Sequence, residues 1–584
     1  IMMGYSNAKK TEMSSSVVSM EGETLRDVTT PDLGNMLQGK AAGVLVYNAS
    51  GQPGEAATIR IRGTGSITAT ADPLYVVDGI PGGSFNPNDV ESITVLKDAG
   101  ATSLYGSSGA GGVIVVTTKK ATLGQKTFVE FKAQGGIKQA LYGRFRPMDS
   151  EELYYLSKSI YPKAVFKSLY PKTLLEQDFS WMDEAFNLGN VQDYYASVSG
   201  SSEKATYFIS LDHFKEKGTL VNTGYARTAG RINLGLKLYE NLDMNLRLQF
   251  NDSNDQGTSS YVTLESAYRM SPWDNPYDQN TGEYLYVTNG IRSDNGGKWY
   301  SHDKVNVFHN EIYNSSKSNG HDLTTDLQLI WKITDHLSLT TTNRYSTSAS
   351  TYKLIIDPRT ASASYPEGVI NKNVSTGRSF STSNLLKYSR TIASDHNISG
   401  LLGQEWGLWK NDYTIAEGIG MKSGLTVLNA ATPNAVGGYY VEGEGWSLFG
   451  QTQYSFREKY IATVSLRADA NSVFAPKQRV GYFPSVSAAW LISKEKFMQN
   501  QDLISFFKLR ASYGETGNSG IAPYSYLSTY AATSAVQYQG VVGMYPEKQE
   551  NPYLHWERAK MTNVGFDINL KDWLEVNLDL YHII

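Results

Sequence analysis

The residue types that carry enzyme chemistry are present in this chain, but not in the arrangements that catalysis needs. The eight His are scattered without the spacing of a zinc site. Adjacent carboxylates such as Glu151-Glu152 lie in a stretch that reads as loop surface, not as a glycosidase pair. Cysteine is absent, which removes thiol catalysis, disulfide frameworks and thiolate-bound metal together. Gly109-Ala110-Gly111-Gly112 and Gly63-Thr64-Gly65 lack the Lys and hydroxyl residue of a phosphate loop and the full dinucleotide spacing, so they read as tight turns. We expect no catalytic residue, no cofactor and no metal, and therefore not an enzyme. What remains is chemistry of binding: cations, carboxylates and many rings.

Composition narrows where such binding takes place. The 584 residues exceed one ordinary globular core, so the chain is multi-domain or a large barrel. Hydrophobic content is 40% and mean hydropathy −0.36, and no run of about 18 apolar residues occurs, which excludes a spanning helix. Average hydropathy is blind to β-barrels, because their strands of roughly 10 residues are apolar only at every second position. Aromatic residues make up 12%, with 39 Tyr and 10 Trp, as both membrane interfaces and sugar-binding surfaces favour. The net charge of −4 offers no basic face for nucleic acid. The opening Ile1-Met2-Met3-Gly4 has no basic stretch leading into an apolar core, so no signal peptide is read there.

Two regions position these residues. Residues 1–121 read as a small mixed α/β domain. Thr30 before Pro31 predicts a helix running towards Lys40, and a second is expected from Asp98 to Tyr105. Strands are expected at Thr58 to Arg62, Leu74 to Val77, Ile93 to Leu96 and Val113 to Thr118, where β-branched residues cluster between glycines. Residues 122–584 alternate strictly instead. Leu242, Met244, Leu246, Leu248 and Phe250 oppose Asp243, Asn245, Arg247, Gln249 and Asn251, and Val564, Phe566, Ile568 and Leu570 oppose Asn563, Asp567 and Asn569. Several runs exceed the 5 to 6 residues usual in a soluble sandwich, which favours an antiparallel transmembrane β-barrel.

Connection lengths supply a second test, because bacterial barrels alternate short periplasmic turns with long outer loops. Short turns are expected near Ser201-Ser202-Glu203, Tyr239-Glu240-Asn241, Thr334-Asp335-His336, Ser394-Asp395, Arg457-Glu458-Lys459 and Lys571-Asp572. Long connections are expected at about 139–190, 255–320, 351–376, 411–444 and 515–557. The walk yields about 15 strands and leaves the last one ascending, so an odd sheet with two open edges is expected, short of the roughly 22 strands of plugged transporters.

Two stretches of the first region carry a resemblance. Asn48-Ala49-Ser50-Gly51-Gln52-Pro53-Gly54, Thr58-Ile59-Arg60-Ile61-Arg62-Gly63-Thr64-Gly65-Ser66 and Asp72-Pro73-Leu74-Tyr75-Val76-Val77-Asp78-Gly79 resemble the plug of SusC-like (RagA-type) TonB-dependent outer-membrane transporters. Asp89-Val90-Glu91-Ser92-Ile93-Thr94-Val95-Leu96-Lys97-Asp98-Ala99 and Gly112-Val113-Ile114-Val115-Val116-Thr117-Thr118 look like the end of the same plug. Tyr482-Phe483-Pro484-Ser485-Val486-Ser487-Ala488-Ala489-Trp490 and Leu509-Arg510-Ala511-Ser512-Tyr513-Gly514 are similar to barrel stretches of that family. The resemblance implies a multi-pass barrel in the outer membrane of a Gram-negative cell with the plug inside its lumen. It further implies TonB-dependent import of an oligosaccharide or oligopeptide, with oligosaccharide expected from the loop aromatics. Its implied partners are a SusD-like surface lipoprotein, TonB with ExbB and ExbD, outer-membrane lipid, and a dimer of SusC–SusD pairs. A passive outer-membrane porin and a secreted carbohydrate-binding β protein are the alternatives.

Within that frame two sets of residues are singled out. Arg60 and Arg62, with Lys119 and Lys120, are expected to meet lumen carboxylates such as Asp212, Asp243 and Asp326. Trp273, Trp299, Tyr300, Tyr439 and Tyr440 fall in the outer connections, where rings stack on sugars or grip a peptide.

Overall fold

In the strand Tyr460–Asn471 the burial pattern of a soluble protein is reversed. Thr463, Ser465 and Arg467 are 6%, 4% and 6% exposed, whereas Val464 and Leu466 between them are 58% and 55% exposed. The same holds for buried Asp212 beside exposed Leu211, buried Ser485 beside exposed Val486, and buried Arg510 beside exposed Leu509. Leaving this much apolar surface in water is unfavourable by about 25 cal/mol per Å², so the pattern is stable only with hydrocarbon outside and polar groups within.

The computed structural model describes residues 5, 12–25, 28–48, 50–63, 66, 71–258, 264–360, 367–498, 500–571 and 573–584. Ala49, Thr64 and Gly65 of the first plug stretch, and Asp572 of the last expected turn, lie outside them. The N-terminal region holds β1 (Val17–Glu21), β2 (Val44–Tyr47), β3 (Thr58–Ile61), β4 (Leu74–Val77), β5 (Ile80–Pro81), β6 (Val90–Leu96) and β7 (Val113–Thr118). One sheet runs β1-β6-β7-β4-β5, and β2 with β3 form a separate hairpin. Leu37, Ile93, Val95, Ile114 and Val116 fill the core between them.

There follow β8 (Phe128–Lys138), β9 (Gly189–Ser201), β10 (Ala205–Lys217), β11 (Gly224–Tyr239), β12 (Leu242–Gly257), a loop hairpin β13 (Val287–Thr288) and β14 (Ile291–Arg292), β15 (Ser315–Lys332), β16 (Leu337–Ile356), β17 (Val369–Ile392) and β18 (His396–Ile419). The remainder are β19 (Thr432–Phe456), β20 (Tyr460–Asn471), β21 (Val480–Leu491), β22 (Ile504–Asn518), a second loop hairpin β23 (Thr529–Tyr538) and β24 (Val541–Lys548), β25 (Glu557–Leu570) and β26 (Leu574–Ile583). Outside the two loop hairpins they form one 15-stranded antiparallel sheet in chain order, wrapped around the N-terminal sheet. Its edge strands β8 and β26 do not pair with each other.

Rings on the outward face mark two levels. At the periplasmic end His396, Tyr454, Phe456, Tyr460 and Trp490 form a continuous line of ring contacts. Higher up, Phe380 packs against Trp406, which lies opposite Trp446 across the strand pair. Ten residues separate His396 from Trp406 and Trp446 from Phe456, the length of a strand that crosses a bilayer. Above Trp406 the hairpin of β18 and β19 continues for 13 residues to Ile419, which at about 3.3 Å per residue and a 45° tilt raises a wall roughly 30 Å beyond the membrane.

The structure changes the expected connections accordingly. The stretches expected as loops near 351–376 and 411–444 are largely strand among the described residues, with connecting residues at 357–360, 367–368 and 420–431. Hydrophobic alternation fades there because both faces of the wall meet water, while the backbone ladder continues regardless. In the plug, the first helix spans Leu33–Leu37 and is capped by Asp32, whose carboxylate accepts from Asn35 N at 2.9 Å, so Thr30-Pro31 lie ahead of it. The second is Ala99–Thr102 capped by Asp98, continued by a 3-10 turn that breaks at Gly106.

Substituting Leu466→Arg places a charge on the outward band at mid-strand. We expect a loss of about 2–4 kcal/mol in barrel stability, read as the midpoint of urea-induced loss of the heat-modifiable band. Leu425→Arg in an outer connection should leave that midpoint unchanged.

Candidate functional site

The plug meets the wall through polar groups and through one apolar patch, where Tyr5, Leu104 and Tyr105 pack with Leu385, Leu401 and Phe449; one of the polar contacts begins with a turn. After β4 the chain reverses through Asp78 and Gly79, both left-handed (φ 52 and 86), and Val77 pairs with Ile80. Asp and Gly are the residues that a two-residue turn of this hand favours. The turn thrusts the Asp78 carboxylate against the barrel. Arg231 Nη2 donates to it at 2.6 Å, and Thr118 donates from its backbone N at 2.9 Å and its hydroxyl at 2.8 Å. Burial pushes this carboxyl up, but Arg231, Arg247 and the two Thr118 donors outweigh it and hold Asp78 below the usual carboxylate range.

Three further wall arginines take hold of the plug. Arg227 donates to Pro31 O and Asn86 Oδ1, both at 3.1 Å, and to Asp212 at 2.9 Å. Arg344 donates to Gly82 O at 2.7 Å while Asp326 receives its other two nitrogens at 2.7 and 2.8 Å. Arg467 donates to Leu104 O at 2.6 Å, to Asp469 at 2.6 Å and to Glu405 at 2.9 Å. Gly106, at φ 49, lets the plug backbone lie directly on Arg467 and Asp469, where a Cβ would overlap both side chains. Between these clamps small hydroxyls meet: Ser103 with Ser485 at 2.7 Å, and Ser14 with Ser487 at 2.7 Å. Asp98 closes the seam by accepting from Ser16 N at 2.7 Å and Ser512 Oγ at 3.2 Å, and burial pushes its carboxyl upward.

The residues singled out in the sequence fall differently from one another. Asp212 is fully buried and accepts from plug Asn88 at 2.8 Å as well as from Arg227. Asp326 is engaged by Arg344, and Asp243 stands away from the plug beside Lys332 at 3.6 Å. Arg60 turns to Asp72 within the plug. Arg62 reaches the wall, but at β26, over the Tyr581 ring and 3.6 Å from Asp579. Lys119 bonds Glu130 at 2.7 Å. The expected pairing of plug cations with Asp212, Asp243 and Asp326 is therefore corrected: at these carboxylates the cations come from the wall. Turn tips of the plug present carbonyls and a carboxylate, and long guanidinium forks reach them from the strands.

Among the aromatic residues, Trp273 is buried and donates to Ser150 O at 3.1 Å, with Tyr300 packed at its edge. Trp299 is wholly enclosed and donates to Asp303 O at 3.1 Å. These three hold the outer loops together. Tyr439 and Tyr440 remain exposed on the raised wall, where Tyr439 stacks on Tyr413 at 4.8 Å and Lys410 lies 4.2 Å from the Tyr440 ring. Above the plug a cavity of about 410 Å³ is bounded by Gly83, Ser108, Arg344, Ser381, Trp409 and Arg467. Trp409 and the wall arginines escaped the sequence reading, although their inward parity on alternating strands was the signal that could have found them. The arrangement gathers fixed hydrogen-bond donors and acceptors on the facing surfaces of the plug and the wall.

Comparison with known proteins agrees with this architecture. Residues 9–113 match the TonB-dependent receptor plug domain, and residues 245–583 match the TonB-dependent receptor-like β-barrel. TonB-dependent receptor P3 of Formosa agariphila is 30% identical over all of this chain and 58% of its own length. TonB-dependent receptor SusC of Bacteroides thetaiotaomicron is 27% identical over 97% of this chain and 58% of its own length. The chain thus spans little more than half the length of these relatives. The solved structure of the RagAB peptide transporter superposes with a TM-score of 0.85 at 25% identity, over 97% of this chain and 67% of that one. The plug inside an inverted antiparallel sheet and these matches together show that the chain belongs to the TonB-dependent receptor family, as a SusC-like β-barrel of the outer membrane.

Proposed function

We propose that this chain performs TonB-dependent active import of an oligopeptide or oligosaccharide across the outer membrane, together with a SusD-like lipoprotein that captures the cargo. The observation that carries the reading is the seam itself. Its clamps are hydrogen bonds and ion pairs that water can replace one by one, so a directed pull can release them and leave only the apolar patch around Tyr5, Tyr105 and Phe449 to be parted. Residues 1–121 act as the movable stopper and 122–584 as the fixed wall. TonB, driven through ExbB and ExbD by the inner-membrane proton gradient, supplies the pull. A plug clamped by five wall arginines (Arg227, Arg231, Arg247, Arg344 and Arg467) is of no use to a passive pore, which disfavours the porin reading.

Cargo class follows from two supports of different kinds. The RagAB structures are described as peptide transporters and importers, which supports an oligopeptide. Tyr439 stacked on Tyr413, both on the raised wall, leaves a flat surface for an oligosaccharide. The test is uptake of labelled peptide and glycan pools by cells carrying the full-length protein, with and without TonB. Energy-dependent accumulation of one pool is expected. Uptake that persists unchanged without TonB would overturn the proposal.

The seam makes two further predictions. Asp78→Asn removes one partner of a buried charge pair, and plug seating should weaken by about 3–5 kcal/mol, read as faster hydrogen exchange at the 78–79 turn and as increased entry of large antibiotics. In wild type the Asp78 carboxyl is depressed in the folded state, so its contribution is complete above the ordinary value of about 3.9 and disappears as pH falls through the lower folded one. Protection at the turn, taken relative to the intrinsic exchange rate at each pH, should therefore fall only below about pH 4 in wild type and be flat across that range in Asp78→Asn.

A further inference from the structure

A second cavity, of about 300 Å³, lies at the periplasmic mouth between the plug and strands β10, β11, β12, β15, β16 and β17. One strand, β9, separates it from the edge strand β8. Asn233, Arg247, Gln328, Thr340 and Lys387 line it from the wall, each close to the periplasmic end of its strand, and Asp78 and Lys120 line it from the plug.

Its charges do not balance. Lys387 points inward, sharing parity with buried Leu385, and has no hydrogen bond or ion pair among the described residues. Arg247 gives Nη2 to Gln328 Oε1 at 3.2 Å, but its Nη1 is buried without a hydrogen-bond partner, 3.9 Å from Asp326. Among the described residues the sole carboxylate lining the cavity, Asp78, is already held by Arg231 and Thr118, with Arg247 Nε at 3.9 Å. An unmatched ammonium and an unfilled guanidinium donor facing one enclosed space are unfavourable unless a counter-charge enters. Oxygens of a carboxylate, sulfate or phosphate satisfy both, because each accepts several charge-assisted hydrogen bonds.

We propose that this cavity is an oxyanion site that receives an acidic group of the cargo as it leaves the plug for the periplasm. This deepens the import reading and rests on it. It assigns the chain a preference for oligomers bearing negative charge, with Lys387 as the binding residue at the exit.

The experiment has two arms. In the first, purified full-length protein in detergent is labelled with an amine-reactive reagent, with inorganic sulfate or with chloride at equal ionic strength, and each lysine is quantified by mass spectrometry. Lys387 labelling should slow about tenfold when sulfate is near ten times its dissociation constant, while exposed Lys477 keeps its rate. No protection, or equal protection by chloride, overturns the site. In the second, cells take up a carboxylate-bearing oligomer and its methyl ester in competition. Lys387→Met should lower the ratio of acid to ester several-fold and Lys387→Arg should restore it. An unchanged ratio overturns the role in cargo exit. If wild-type cells import neither form, the import reading fails, while sulfate protection still decides the site.

Discussion

Everything in this structure depends on the inversion of its long strands, with side chains alternating between hydrocarbon outside and water-like polarity inside. Backbone groups cannot be left unpaired in lipid, so the strands must hydrogen-bond to one another in a continuous ladder, and period-two side-chain direction then decides which residue sees which solvent. Leu466 and Arg467 are neighbours in sequence and occupy opposite media. The rings at the levels of His396 and Trp406 mark where those media change.

A polar lumen sets the terms on which a stopper can sit inside it. A wholly apolar plug surface would leave the lumen's polar groups unpaired, although Leu385, Leu401 and Phe449 do receive apolar plug residues, and a fully charged one would leave its ions uncompensated. The interface that results uses serine hydroxyls that meet wall serines, backbone carbonyls at tight turns reached by wall arginines, and the buried carboxylates of Asp78, held by Arg231, and Asp98, which accepts from Ser512. Such contacts specify position through geometry while remaining exchangeable for water. Close approach requires bare backbone at Gly83 and Gly106, where the plug tips lie against Arg344 and against Arg467 with Asp469. Plug seating and wall charge are therefore one problem, and Lys387 at the periplasmic mouth, beside the unfilled Nη1 of Arg247, is the place where the plug leaves it unsolved.

Above the membrane the same ladder continues under different rules. The hairpin of β18 and β19 rises with water on both faces, and its apolar alternation gives way to Gly, Tyr and charged residues. The outer loops, by contrast, build cores of their own, in which Trp181, Trp299 and Phe308 pack together. Trp273, Trp299 and Tyr300 serve that packing, and ring chemistry on the raised wall rests on Tyr413, Tyr439 and Tyr440.

The sequence by itself determined the barrel, because alternation is a local property: Leu242 through Asn251 display both faces in ten consecutive residues. It also determined β4 and β7 to the residue, where β-branched runs stop at glycine-bearing turns or charged residues. Inward direction marked Asp212 and Asp326 as lumen carboxylates for the same reason. Only the tertiary structure decided who pairs with whom. Arg231 lies 153 residues from Asp78 and Arg467 lies 363 from Leu104, and no local pattern encodes contacts whose partners are brought together by closing a curved sheet around a separately folded domain. Strand length above the membrane was likewise hidden, since hydrogen bonding between backbones persists where the two solvents that write the alternation have become one.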